Sequence, residues 1–435
     1  MKQKNYAYKL KARLGLVLLL AFFLGVITSY LLIFVISIMR DETSSRASGF
    51  AINNSDLLAP ESPELQDERL AQLRALGYIG YTDEKILSPG VVTNKTGKVC
   101  AGLNLYNPGH TAEAYLIDNA GKVHHKWSLP LTRAFPDGPG PTVLNQYWRR
   151  VRLLDDGDLL AIYEGVGIIR LDKDSNLIWA IQNGAHHDMD YVNESTLAVL
   201  RRDAKFNPQI HPTEPVLEDF ITFIDIESGK PQKEFSVYTA FADSDFASAI
   251  VARPPSGDIF HTNTINVLNG SGAERIPAFR SGNFLISLRE LHLIAVVDAI
   301  TERVVWTMTG QWKYQHEPQM LSNGHILIFD NQGHFEFSKI IEFDPVTQQT
   351  VWGYYGDSAN DFVNVRMGSQ QLLPNGNILI TESYRGRVGK ITSAGEEVWR
   401  FNSPHTIKPG ETDAERLENR PGYVKCCVSP RMHLA

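Results

Sequence analysis

Apolar positions along this chain follow different periods in different stretches, and the changes divide it. From Leu14 to Met39 they run without a charged residue, long enough to cross roughly 30 Å of hydrocarbon as one helix. From residue 40 to 96 the composition turns to Ser, Asn, Pro and Glu, as in a tether. One helical period interrupts it. Ser62 offers an N-cap, Pro63 suits the first helical position, and Leu65, Leu70, Leu73 and Leu76 recur at near-helical spacing before Gly77. That pattern predicts a helix over 63–76 whose apolar stripe packs on the domain behind it. Beyond residue 97, short runs of Ile, Leu and Val alternate with Gly-centred turns, the pattern of strands.

The stretch 315–331 shows the strand pattern most fully. Gln315 and His316 precede a β-run, Asn323-Gly324 marks a hairpin turn, and Ile326 to Phe329 form a β-branched strand that ends in Asp330-Asn331. An Asn-Gly pair between apolar runs is a strong hairpin signal. The plan recurs: a Gly-centred turn, an apolar strand, a second strand ending in an acidic turn, then an aromatic. The closing aromatics are Trp127, Trp179, Phe235, Trp306, Trp352 and Trp399, spaced 46 to 71 residues apart. Six such units predict an all-β, six-bladed β-propeller over 97–403, followed by a tail over 404–435. A sandwich or jelly roll does not predict a sixfold aromatic. The tryptophans are expected to pack between blades and to carry no chemistry.

In a propeller, equivalent positions of successive repeats circle one axis, so residues remote in sequence converge. His316 precedes Ile326, and His187 precedes Thr196, at nearly equal spacing, while His261 begins the corresponding strand of the blade between them. His186 competes with His187 for that role. At the other end of the same hairpins, Arg201, Arg289 and Asn331 align, with Glu164 and Ser383 at that place in two further blades. Imidazoles, guanidiniums and an amide around one channel mouth suit a small oxygenated anion. His292 lies close to this set, whereas His325 and His334 read as structural or exposed.

Charge and composition narrow the function. A net charge of −7 and a pI near 6.0 argue against a nucleic-acid surface, which needs clustered Lys and Arg. Lys2, Lys4, Lys9, Lys11 and Arg13 make residues 1–13 a basic cytoplasmic segment, so 14–39 is expected to be an uncleaved single-pass signal anchor with the later chain outside the cytoplasm. Of three cysteines, Cys100 opens the first blade and Cys426 and Cys427 lie in the tail; a bridge from Cys100 to either would fasten the ring. A zinc set of three histidines would be repelled by a neighbouring arginine, and no His-Glu-x-x-His or Cys-x-x-Cys occurs, so no metal is expected. Neither a phosphate-cradling Gly-x-x-x-x-Gly-Lys-Ser/Thr loop nor a Gly-x-Ser-x-Gly elbow is present.

These residues, in order, carry a resemblance. His-His-Asp-Met-Asp (186–190), His-Thr-Asn (261–263), Ser-Leu-Arg (287–289), Gln-His (315–316), Asn-Gly to Phe-Asp-Asn (323–331) and Leu-Pro-Asn-Gly-Asn-Ile-Leu to Glu-Ser (373–383) resemble the bacterial arylsulfotransferase family over about residues 100–400. The resemblance implies an exported six-bladed propeller that moves a sulfuryl group from an aryl sulfate ester to a phenolic acceptor, with no nucleotide donor and no cofactor. It further implies a transiently sulfated histidine, matched here to His316. By the same resemblance, assistance falls to His261, to His187 or His186, and to Arg289; the repeat spacing adds Asn331, Arg201 and His186 as substrate contacts. The inserted stretches between Arg201 and Phe220 and between Val267 and Asn283 are expected to act as lids or acceptor-specificity loops. Two rivals remain at this stage: a membrane-anchored propeller that binds or scaffolds without turnover, and a sulfate-ester hydrolase.

Overall fold

The computed structural model describes residues 63–74, 88–142, 145–334 and 337–405. The chain divides into two units, Met1–Gln66 and Asp67–Ala435, and the second holds the propeller. Six antiparallel sheets follow one another. Blade 1 has three strands, Asn104–Tyr106, Glu113–Ile117 and Val123–Ser128. Blades 2 to 5 begin with inner strands Trp148–Leu153, Ala185–Tyr191, Thr262–Val267 and His316–Met320, and each runs outward through four consecutive strands. Blade 6 runs outward from Ser369–Leu372 to Glu397–Asn402, and there the early strand Gly90–Asn94 pairs with its outer edge. The ring is thus closed by its two chain ends within one sheet.

Five of the expected closing aromatics fall on outermost strands and Trp399 on the strand that Gly90–Asn94 covers, and the indoles tie blades together. Trp179 donates to Ile226 O at 3.0 Å, Trp352 to Ser393 O at 2.7 Å and Trp399 to Asn119 O at 2.9 Å, each a turn of the next blade. The acidic turns do local work: Asp118, Asp172, Asp225 and Asp298 accept backbone N–H groups of their own turns. Such Asx bonds bend the chain without help from neighbours.

Inner strands pose a harder problem, because an unpaired strand edge facing the channel leaves its backbone donors unsatisfied. Side chains of the preceding blade meet them. Asp188 accepts from Ile265 N at 3.1 Å and Asp190 from Val267 N at 2.8 Å; Thr264 Oγ1 accepts from Glu317 N at 2.9 Å and Asn266 Oδ1 from Met320 N at 3.3 Å. Arg150, buried on blade 2, reaches Asp188 of blade 3 at 2.8 Å and Glu317 of blade 5 at 2.7 Å. On the far side of that ion pair lies a cavity of about 950 Å³, lined by the later ends of the inner strands, among them Leu154, Asp190, Asn193, Asn266 and Gln371.

The predicted helix is described over Pro63–Arg74. Its Leu73 is buried against Ala204 and Leu217, with Leu70 packed beside them, and Arg69 pairs with Glu214. The contact is with the blade 3 hairpin, whose strands Thr196–Phe206 and Pro215–Asp225 are twice the length of most others. The anchor expected over 14–39, the basic segment 1–13, most of the linker 40–96 and the tail beyond residue 405 lie outside the described residues, as do Cys426 and Cys427. Cys100 is buried at the start of blade 1. Among the described residues no helix is long and apolar enough to cross a membrane.

Candidate active site

Every inner strand begins on the same face of the ring, and there the backbone is unusual. His187 and His261 take left-handed conformations with φ of 52° and 50°, as do Glu317 at 50° and Met367 at 63°. Each non-glycine residue in that region costs about 1–2 kcal/mol, and pairing slips at Val199/Arg201, Thr262/Thr264 and His316/Gln319 show a bulge beside each histidine. Bulges re-aim side chains. Here they turn imidazoles out of the ladder and toward the channel mouth.

His316 is buried, and its Nδ1 faces two acceptors, Asn331 Oδ1 at 2.7 Å and Tyr314 O at 3.0 Å. The amide of Asn331 is held the right way round because its Nδ2 donates to Asn364 O at 2.5 Å and to Met367 O at 2.6 Å. A nitrogen between two acceptors must carry the proton, so Nε2 of His316 holds the lone pair. Burial, then the charge of Arg289, pushes the His316 pKa from 6.5 down to about 3, with Arg149 and His261 adding to the effect and Asn331 opposing it. The imidazole is neutral wherever the protein is folded near neutral pH. The same fields place Arg289, Arg149 and His261 within electrostatic reach of His316.

Arg289 follows the second strand of blade 4, buried, with its guanidinium carbon 4.6 Å over the Tyr314 ring and Nη1 paired with Glu290. Its backbone N–H donates to His261 O at 3.3 Å, which fixes the two residues side by side. His261 is held by Asp258, whose carboxylate accepts from its Nδ1 at 2.7 Å and from its backbone N at 2.9 Å. Asp258 itself lies on Gly257–Asp258, a short strand parallel to the extended blade 3 hairpin. The His261 ring meets His187 edge to face, with centroids 4.7 Å apart. His187 and His186 face each other through Nδ1 at 2.8 Å. Burial, followed by Arg149, His261, His186 and Arg202, holds the His187 pKa well below its ordinary value.

Some expected participants lie elsewhere. Arg201 points outward, paired bidentately with Glu234 at 2.6 and 2.7 Å and stacked 4.3 Å over Phe220. Its neighbour Arg202 turns inward, 3.6 Å from Glu164. The Asp188 carboxylate serves Arg150 and the inner strand of blade 4. His292 keeps a supporting place, its Nδ1 accepting from Tyr314 N at 3.2 Å. Alignment of the histidines passed over Arg149, which begins blade 2 within 3.5 Å of Glu164 and 3.8 Å of Met367 Sδ. The Arg149-Arg150 pair at the start of an inner strand was its available signal.

Glu164, partly buried, lies 3.4 Å from His187 Nδ1. Burial opposes its charge, yet Arg149, Arg202 and His186 together hold its pKa below the ordinary carboxylate value. Glu164, His186 and His187 bring three potential ligand atoms within 4.8 Å. A dication placed among them would face Arg149 and Arg202 across the same carboxylate, whereas an anion in front of His316 would meet both Arg149 and Arg289. The mouth thus sets guanidiniums beside a neutral imidazole.

The arylsulfotransferase (ASST) family model matches residues 150–404, from blade 2 to the end of blade 6. The chain belongs to the arylsulfotransferase family. Membership makes it a sulfotransferase-type enzyme, acting on small aryl sulfates and phenols in general terms. No curated protein matches the chain. Solved structures similar to it include a protein of unknown function from Bacteroides caccae (13% identity over 70% of this chain and 94% of that one, TM-score 0.41). The β-propeller domain of Cps50 (Swd1) from Myceliophteria thermophila is similar at 12% identity over 75% and 90%, TM-score 0.42. Virginiamycin B lyase from Staphylococcus aureus is similar at 11% identity over 64% and 73%, TM-score 0.37.

Proposed function

We propose that this arylsulfotransferase-family chain moves a sulfuryl group from an aryl sulfate to a phenol by two displacements at sulfur, with His316 as the carrier. The observation that supports this most is the fixed tautomer of His316, whose Nδ1–H is pinned by Asn331 and Tyr314 so that Nε2 presents its lone pair. In the first step Nε2 attacks sulfur and the S–O bond to the donor phenol breaks. The imidazole then carries positive charge, which the two acceptors at Nδ1 stabilise. Arg289 and Arg149 stand where the sulfuryl oxygens gather negative charge, and preorganised cations of this kind are often the largest catalytic contribution. His261 and His187 lie on the same mouth and supply the proton that the leaving phenolate needs, recovering it from the acceptor phenol in the second step.

The propeller lies outside the cytoplasm in this reading, tethered by 14–39, because five Lys and Arg precede that run whereas Arg40 and Arg46 alone follow it closely, beside Asp41 and Glu42. Protease added to intact cells should then digest the propeller while sparing the first residues.

Purified protein with 4-nitrophenyl sulfate separates transfer from its rivals. Transfer predicts release of 4-nitrophenol that requires an added phenol, ping-pong kinetics, and a sulfuryl adduct on the peptide carrying His316 when phenol is withheld. His316→Ala should abolish all three. Release that is indifferent to phenol would mean hydrolysis, and no release from any ester would mean a binding scaffold.

A further inference from the structure

Two buried histidines whose Nδ1 atoms meet at 2.8 Å share a single proton: one ring donates and the other accepts. Their flanks decide which. Asp219 stands 3.4 Å from His186 Nε2, with its other oxygen fixed by Thr262 N at 2.8 Å. Beside His187 Nδ1 stands Glu164, at 3.4 Å. In the uncharged arrangement His186 keeps its proton on Nε2, the nitrogen on the Asp219 side, which makes no hydrogen bond at this 3.4 Å separation, and accepts at Nδ1, while His187 donates from Nδ1. That leaves the lone pair on His187 Nε2, a buried atom with no hydrogen-bond partner, on the ring that packs against His261 at the channel mouth.

The geometry points to Asp219 and His186 as positioning residues that form a proton relay behind His187, which is the group that trades a proton with the phenol oxygen. This rests on the transfer reading above. In the second displacement the acceptor O–H gives its proton to His187 Nε2 as its oxygen bonds to sulfur and the N–S bond to His316 breaks. The Nδ1 proton of His187 passes to His186 Nδ1, so positive charge settles on His186 against Asp219. In the first displacement of the next cycle the flow reverses. His187 Nε2–H protonates the departing donor oxygen, and His186 returns its Nδ1 proton. One proton is taken and one is given per turnover.

The relay explains why a second histidine stands behind the first. A charge left on His187 would face Arg149 and Arg202, the two guanidiniums that flank Glu164, and His261. Moved one ring back, the charge faces Asp219 instead. The other charged groups around the pair are Glu164, which is already matched by the two arginines, and Asp258, which is committed to His261.

The relay matters only where an oxygen needs a proton, and donor chemistry exposes that. Asp219→Asn keeps the acceptor for Thr262 N and removes the charge. With phenyl sulfate, whose leaving group needs protonation, kcat/KM for the donor, which in ping-pong kinetics reports the first displacement alone, should fall roughly 10²-fold, the scale of general acid catalysis; with 4-nitrophenyl sulfate the loss in kcat/KM for the donor should be at least about ten times smaller. His186→Gln should show the same split, and Asp219→Glu should restore part of the phenyl sulfate rate. Equal losses with both donors would overturn the relay, as would activity that EDTA removes and zinc restores. An Asp219→Asn protein that fails to fold leaves wild-type ¹⁵N imidazole spectra to decide: two protonated Nδ1 atoms, or none, at 186 and 187 would also overturn it. Persisting turnover in His316→Ala would instead sink the transfer reading itself.

Discussion

The burial of His316 makes a prediction about stability that does not depend on turnover. Unfolded, its imidazole takes a proton as pH falls through 6.5; folded, it resists until about 3. The unfolded chain binds more protons throughout that window, so stability is full above pH 6.5 and falls as the pH is lowered toward 3. At about 1.4 kcal/mol for each tenfold change, the whole window is worth about 5 kcal/mol, of which about 2 kcal/mol is lost between about pH 8 and about pH 5. His316→Gln removes the titration while its amide still donates toward Asn331. Urea unfolding of both proteins, extrapolated to water at the two pH values, isolates the contribution of this one ring. Wild type should lose about 2 kcal/mol more than the variant on acidification. Equal losses would refute the claim that His316 is held neutral by burial and by the neighbouring arginines.

Other consequences are open to single measurements. Arg289→Ala should lower kcat roughly 10²–10³-fold by removing preorganised charge, and Arg289→Lys, which lacks the planar fork, should recover only part of it in steady-state assays. Arg150→Met removes the buried cation that Asp188 and Glu317 share and should cost about 3–5 kcal/mol in chemical denaturation. Removing residues 88–95 uncovers the outer strand of blade 6, which should lower Tm and produce concentration-dependent association in light scattering.

Repetition made most of this architecture readable. Six aromatic closings gave six sheets, and common repeat positions brought His187, His261, His316 and Arg289 to one face, because a ring converts sequence register into proximity. What escaped had no repeat to reveal it. The inner strand of blade 3 carries two extra residues between Ala185 and Met189, opposite Arg201 and Val199, so spacing counted from the histidines does not carry across this hairpin, and Arg202 turns inward where Arg201 was expected. Arg149 was hidden because blade 2 has no histidine at the place where its neighbours do. Asp219 and Asp258 belong to the lengthened hairpin and to the two-residue strand beside it, both insertions into the repeat. Left-handed backbone at His187 and His261 leaves no mark in composition at all.

Blade 6 ties folding to the far ends of the described chain. Its outer strand, Glu397–Asn402, pairs with Gly90–Asn94, some three hundred residues earlier, so the last contacts needed to seal the ring are among the least local ones in the molecule. Loop closure over such a separation slows folding. While the chain is being made, five blades can assemble in order, but the early strand must wait until residues 397–402 exist. Until then the outer edge of Glu397–Asn402 and the strand Gly90–Asn94 lack each other as partners, and unpaired strand edges are where misassembly begins.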